Sequence, residues 1–239
     1  MHGDVVYLYG LHACLAALAN PRRKIERVWC TENVVQRLDG APFRASISAP
    51  EKYYVSDKKK LDSLVNEVHQ GIVIQAQPLP TEPIDIVKNL KANVVVALDQ
   101  VTDPQNVGSI LRLCRVFGAG ALIMARAHAP SETGAIAKVA SGALELVPRC
   151  AVSNLADGIR QLKEFGYWCV GLAENAPKSI RDTDFSGKIA LIMGSEGAGM
   201  RQLTKKLCDF TAYIPTSAEF STLNVTTATA IALYEACGR

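Results

Sequence analysis

The chain has 239 residues, 49% of them hydrophobic and 21% charged, with a formal net charge of +3. That is ordinary for a globular protein with a real core, and it excludes a disordered or disulfide-stapled chain. A charge this small permits nucleic acid as a partner without demanding it.

No apolar run reaches the ~20 residues of a membrane span. HGDVVYLYGLH lacks the basic start and long apolar core of a secretory signal, so no membrane partner is expected. The seven cysteines, Cys14, Cys30, Cys114, Cys150, Cys169, Cys208 and Cys237, form no C-x-x-C pair. Reduced, buried thiols in a cytoplasmic protein are the expectation, with no metal.

Residues 1–77 read as a small α/β module. A short helix over Leu11–Ala19 follows Gly10, and IERVWCT from Ile25 is strand-like. DKKKLDSLVNEVHQ has a helical period, with Leu61, Leu64, Val65 and Val68 on one face, Asp57 as N-cap and Gly71 as its stop. IVIQAQ is a short strand. Two basic clusters lie in this module, Arg22, Arg23, Lys24 and Arg27, and Lys58 to Lys60. Each is either a solvated surface or a phosphate-binding face. Tyr53 and Tyr54 are either core or stacking surfaces for bases.

Pro78, Pro80 and Pro83 remove donors and break both helix and strand. They mark a linker over residues 78–90, with the second domain at 91–239. There, apolar strands alternate with helices: VVVALD, ALIMAR, VPRCAV, YWCVGLA, IALIMG and FTAYIP. A helix between them takes Ser153 as N-cap, turns Leu155, Ile159, Leu162 and Phe165 inward and stops at Gly166. The last helix runs over Leu223–Cys237. This alternation predicts a parallel sheet covered on both faces.

Three strand ends carry polar residues. After VVVALD comes a loop with Asp103, Pro104, Gln105 and Asn106, then a helix opened by Gly108 that contains Arg112. After IALIMG comes Gly194-Ser195-Glu196-Gly197-Ala198-Gly199. Its G-x-x-G-x-G spacing is neither a dinucleotide fingerprint nor a P-loop, which weighs against a nicotinamide enzyme. After FTAYIP, Ser221, Thr222 and Asn224 precede the last helix, as helix caps or as ligands. His2, His12, His69 and His128 lie outside all three segments, leaving no zinc set and no Ser-His-Asp triad. An amide, a guanidinium, a carboxylate and a hydroxyl suit the orientation of a substrate hydroxyl and a phosphate beside a cofactor.

LDQVTDPQNVGSILR, IMGSEGAGM and IP…STLNVTTATAIALYEA resemble, in order, the three motifs of the SpoU/TrmH-like branch of the SPOUT methyltransferases. YGLHACLAAL and HQGIVIQA resemble the small RNA-binding domain that precedes the catalytic domain in its rRNA-modifying members. The likeness covers nearly the whole chain and is closest to members that modify a guanosine of bacterial large-subunit rRNA. It implies an α/β fold whose C-terminal parallel-sheet domain forms a deep trefoil knot, a homodimer packed through that knot, and S-adenosyl-L-methionine as cofactor. Gly194, Ile214 and Leu223 match positions that contact the cofactor. Asn106, Arg112, Glu196, Thr222 and Asn224 match catalytic or substrate-orienting positions. Thr222 stands where the family usually has serine; it keeps the hydroxyl and is stiffer at χ1. The implied reaction is methyl transfer to a ribose 2′-hydroxyl, with Arg112 gripping the target phosphate and favouring negative charge on the oxygen. An rRNA is favoured as substrate; a tRNA, or an inactive RNA-binding relative, are the alternatives.

Overall fold

The structure is a computed structural model and describes residues 5–38, 53–217 and 223–238. The chain divides into two compact units. The first comprises residues up to Pro80 together with Ser131–Leu146, and the second holds Thr81–Pro130 and Val147 onward.

In the first unit the elements are β1 (Val6–Tyr9), α1 (Leu11–Ala19), β2 (Ile25–Cys30), α2 (Glu32–Leu38), β3 (Tyr53–Val55), α3 (Lys58–Leu64) and β4 (Ile72–Ala76). The strand order is β1-β4-β2-β3, with β2 and β3 parallel and the other pairs antiparallel. Asp57 caps α3 as expected, accepting from the Lys60 amide. The helix is shorter than its period suggested. It ends at Val65, which is extended, and Val68 is exposed rather than inward. Beyond it the chain turns into β4, with His69 accepting from the Gly71 amide through Nδ1 and Gln70 at φ 57°.

Residues 131–146 belong here because of charge. Their helix α5 (Gly134–Ala140) packs on β1 so closely that a Cβ at Gly134 would lie 2.2 Å from the Tyr7 carbonyl oxygen. Beside it, the Arg23 side chain is fully buried with Glu132 and Glu145, at 0%, 1% and 2% exposure. Arg23 also donates to the Gln77 carbonyl at 2.9 Å, and Asn20 donates to Glu145 at 2.7 Å. Arg23 is therefore a structural ion-pair residue, and the phosphate-face reading of its cluster does not extend to it.

The second unit begins with a 3-10 turn over Ile84–Asn89, inside the stretch expected to be linker. Then come β5 (Val94–Asp99), α4 (Pro104–Phe117), β6 (Leu122–Ala125), β7 (Arg149–Val152), α6 (Leu155–Glu164), β8 (Tyr167–Leu172), β9 (Lys178–Ser179), β10 (Lys188–Gly194), α7 (Gln202–Leu207), β11 (Phe210–Tyr213) and α8 (Val225–Cys237). The seven strands run in the order β7-β6-β5-β10-β8-β11-β9, all parallel, as the apolar runs predicted. β5 is buried at every position.

The order reverses at β5 and β10. From β5 the chain steps outward to β6 and β7, crosses over to β8, and later inserts β10 between β5 and β8. Such reversal points open a crevice beyond the carboxyl ends of the strands. Two helix starts differ from expectation. Asn154, not Ser153, caps α6, since its side chain reaches the Asp157 amide. α4 begins at Pro104, not Gly108, because Asp103 accepts from the Gln105 amide and proline suits the first helical position.

Removing Arg23 leaves two buried carboxylates without a cation. Arg23→Ala is expected to destabilise the protein by about 3–5 kcal/mol, read as a lower urea midpoint; an unchanged midpoint refutes the buried triad. Burial also pushes the Cys114, Cys150, Cys169 and Cys208 thiols up to about 12. Unfolded thiols ionise near ~8.5. Stability is thus unaffected by these groups below that pH and falls as pH rises from there towards 12. Only thiolates alkylate, so iodoacetamide at pH 8 should leave these four cysteines intact in the folded protein and label them in urea.

Candidate active site

The site lies in the second unit, where the β5–α4, β10–α7 and β11–α8 connections meet. Asn106 sits in the first turn of α4, Glu196 in the loop after β10, and Asn224 at the N-cap of α8. Their side chains converge. Glu196 Oε1 accepts from Asn106 Nδ2 at 3.1 Å and from Asn224 Nδ2 at 2.5 Å. Asn224 also accepts from the Thr226 and Thr227 amides, which fixes its side chain while it caps the helix. Capping and site placement are thus one arrangement, not alternatives. The Thr226 hydroxyl donates to Asn106 Oδ1 at 3.1 Å. Thr226 was missed from sequence; its signal is a threonine pair opening an otherwise apolar helix.

Arg112 is not part of this cluster. It is exposed on α4 and makes no side-chain hydrogen bond or ion pair among the described residues. Six residues beyond Asn106, it stands about 120° further round the helix and ~9 Å along it. Thr222, with Ser221, lies outside the described residues.

Beside Glu196 is a cleft of about 710 Å³. Gly194, Ile214 and Leu223, the three expected cofactor positions, all line it. Glu196 lines it too and so joins the cleft to the amide cluster. Gly194 has a steric reason: a Cβ there would stand 2.2 Å from the Gly199 carbonyl carbon. The loop folds back on its own strand end, with the Gly199 amide donating to the Ser195 carbonyl at 2.9 Å. Gly197 and Gly199 take φ of 76° and 66°, which glycine adopts without strain.

The loop is held from below by Asp99, whose side chain is fully buried at the end of β5. It accepts from the Arg201 amide and from Arg201 Nε, each at 2.8 Å, and pairs with the guanidinium. Sequence reading passed over this pair because its members are 102 positions apart. No group of three or more His, Cys, Asp or Glu able to hold a metal is found among the described residues.

Arg201 is 42% exposed while Asp99 is not exposed at all. The two truncations should therefore differ. Arg201→Ala strands a buried carboxylate, worth about 3 kcal/mol or more, whereas Asp99→Ala releases an arginine that water can solvate, worth nearer 1 kcal/mol. Urea unfolding of both variants tests this, and the reverse ranking would falsify it. Gly194→Ala should open the loop, seen as faster amide exchange over residues 194–201; wild-type exchange rates would refute the steric argument.

Comparison with known proteins bears on these three connections. Residues 93–234 match the model of the SpoU rRNA Methylase family, and residues 7–82 match the RNA 2′-O ribose methyltransferase substrate binding model. The chain is 34% identical to the 23S rRNA (guanosine-2′-O-)-methyltransferase RlmB of Pseudomonas putida, covering 96% of this chain and 94% of that one. It is 37% identical to the protein of the same name from Coxiella burnetii, over 95% and 93%. Among solved structures, an AdoMet-bound rRNA methyltransferase from Sinorhizobium meliloti superposes with a TM-score of 0.80 at 24% identity, over 97% of this chain and 86% of that chain. That last likeness speaks to the fold. The family match over both motif-bearing strand ends of the β5–β10 crevice and over α8, with relatives this similar along nearly the full length, places the conclusion beyond the fold: the chain belongs to the SpoU rRNA methylase family.

Proposed function

We propose that this protein methylates the ribose 2′-hydroxyl of a guanosine in 23S rRNA, with S-adenosylmethionine as methyl donor. The observation that carries the reading is Glu196, one carboxylate that both lines the cleft and holds the Asn106 and Asn224 amides. Family membership makes the chain an RNA 2′-O-ribose methyltransferase. The choice of a 23S rRNA guanosine follows the named activity of the relatives.

The cleft suits the donor. Its volume falls in the range of cofactor pockets, roughly 300–1,000 Å³. Leu172, Met193 and Val225 give it apolar walls, and Glu174 and Lys205 put opposite charges on its lining. That combination fits a nucleoside with a zwitterionic amino-acid tail. Gly194, Ile214 and Leu223 would hold it. S-adenosylmethionine, when bound, supplies an electrophilic methyl group carried on a sulfonium.

The chain's own residues do the positioning. Glu196 orients the Asn106 and Asn224 amides, and those amides orient the ribose. Arg112 presents a planar guanidinium, a fork of donors with no acceptor. Exposed on α4, it grips the target phosphate from the solvent side and stabilises charge developing on the 2′-oxygen. Thr222 supplies a further hydroxyl. The same reading carries a trefoil-knotted C-terminal part, a homodimer packed through it, and residence in the cytoplasm. What supports the dimer is an apolar surface: Val116 on α4 and Tyr234 on α8 are each 66% exposed beside the Phe117–Tyr234 ring contact.

The test is methyl transfer from labelled S-adenosylmethionine to 23S rRNA and to tRNA, followed by mapping of 2′-O-methyl positions. Label at a guanosine of 23S rRNA is expected; label in tRNA alone sinks the substrate assignment. Arg112→Lys should lower kcat by about 10²-fold or more. Wild-type kcat with weakened RNA binding would remove Arg112 from the transition state.

A further inference from the structure

The first unit carries a sheet face that its own core does not use. In β1, β4, β2 and β3, residues alternate between two faces. One face buries Val6, Leu8, Val28, Cys30, Ile72 and Ile74. The strand register assigns the other. Tyr7 pairs with Gln75, and Gln75 with Arg27; Tyr9 pairs with Val73, Val73 with Trp29, and Trp29 with Tyr54. α3 covers the second row through Leu61, Leu64 and Val65, packed on Tyr9, Trp29 and Val73. The first row and the edge stay open: Arg27 is exposed, Tyr7 is 37% exposed and Tyr54 is 44% exposed.

The rings form a graded set. Trp29, only 7% exposed, lies between the two tyrosines, with centroids 6.4 Å from Tyr7 and 6.0 Å from Tyr54 and tilts of 26° and 25°. A buried tryptophan thus lies between two exposed, near-parallel tyrosine rings across the four-stranded sheet. Such rings gain nothing from water. Cations lie on and beside the face: Arg27 shares it, and Lys58, Lys59 and Lys60 are exposed in the α3 turn that follows β3. Of the acids nearby, Asp57 is engaged as the cap of that helix and Asp62 is bonded to His69, while Glu67 lies toward Tyr9. Tyr53 is excluded from the set, because it pairs with Val28 on the other face and its hydroxyl is buried.

Flat exposed rings on a four-stranded sheet with cations at the margin are what unpaired RNA bases stack on, whereas duplex RNA is met through its phosphates and minor groove. We propose that Tyr7 and Tyr54 form a stacking platform for unpaired bases of the RNA substrate, braced by Trp29, with Arg27 and the Lys58–Lys60 turn taking the phosphates. This rests on the reading that the substrate is RNA; it adds which face meets it and that the nucleotides met there are single-stranded.

The test uses the full chain and a fluorescein-labelled single-stranded oligoribonucleotide, with the same sequence annealed to its complement as control. Wild type should bind the single strand more tightly than the duplex. Stacking is worth about 1–3 kcal/mol per base, so Tyr7→Ala and Tyr54→Ala should each weaken binding about 5-fold or more. Tyr7→Phe and Tyr54→Phe keep the ring and should bind as wild type, which separates stacking from a fold defect. Arg27→Ala should lower the slope of log affinity against log salt by about one. Equal affinity for the duplex, failure of wild type to bind the single strand, or wild-type binding by both alanine variants overturns the platform. Methyl transfer by the same preparations separates the two claims. Active wild type with alanine variants that bind and methylate equally refutes the platform alone, and wild type that binds the single strand but methylates no RNA refutes the proposed activity alone.

Discussion

The parallel pairing of β5 with β10 is the constraint on which the site depends. Their register sets Gly194 opposite Asp99, so two connections leave the sheet at the same level. One turns into α4 and presents Asn106. The other folds into the glycine loop and presents Glu196. β5 is buried along its length and β10 at all but its two ends, and a one-residue slip would move each side chain to the opposite face. The site's geometry is therefore as firm as the core beneath it.

Asp99 shows what that position demands. A carboxylate at the closed end of a central strand is tolerated only with bonded partners. Arg201 supplies its amide, its Nε and a second guanidinium nitrogen. In return the far end of the glycine loop is pinned to β5, while its near end is the last residue of β10. A loop anchored at both ends and closed on itself at Ser195 and Gly199 has little room to wander. Glu196 at its tip is then a fixed acceptor, and two asparagines from separate helices settle on one oxygen.

The first unit solves a different problem with the same economy. A small sheet buries limited apolar surface. It recruits residues 131–146 from between β6 and β7, and the Arg23, Glu132 and Glu145 set ties them in. Such buried pairs roughly break even against desolvation, yet losing one partner is costly because it strands the buried charge of the others. With α1 and α5 packed on β1 and α3 covering only part of the second face, Tyr7 and Tyr54 are left exposed.

Much of this was legible in the amino-acid order. Continuous apolar runs declared buried parallel strands, because a sheet covered on both faces has no polar side. Glycine spacing after Met193 declared a tight loop, and the three motif segments declared Asn106, Glu196 and Asn224 as one site. Local signals misled where a neighbour outbid them: Asn154 over Ser153 as a cap, and Asp103 and Pro104 over Gly108 as a helix start. What only the tertiary structure decided was pairing across distance. The Asp99–Arg201 and Arg23–Glu145 bonds join residues more than a hundred positions apart, and the Tyr7, Trp29 and Tyr54 rings come from three strands of a sheet in which β4 lies between β1 and β2. No local pattern encodes those contacts, because strand order, and not sequence neighbourhood, determines which side chains meet. The same holds for Arg112, which among the described residues stands apart from the Asn106, Glu196 and Asn224 cluster.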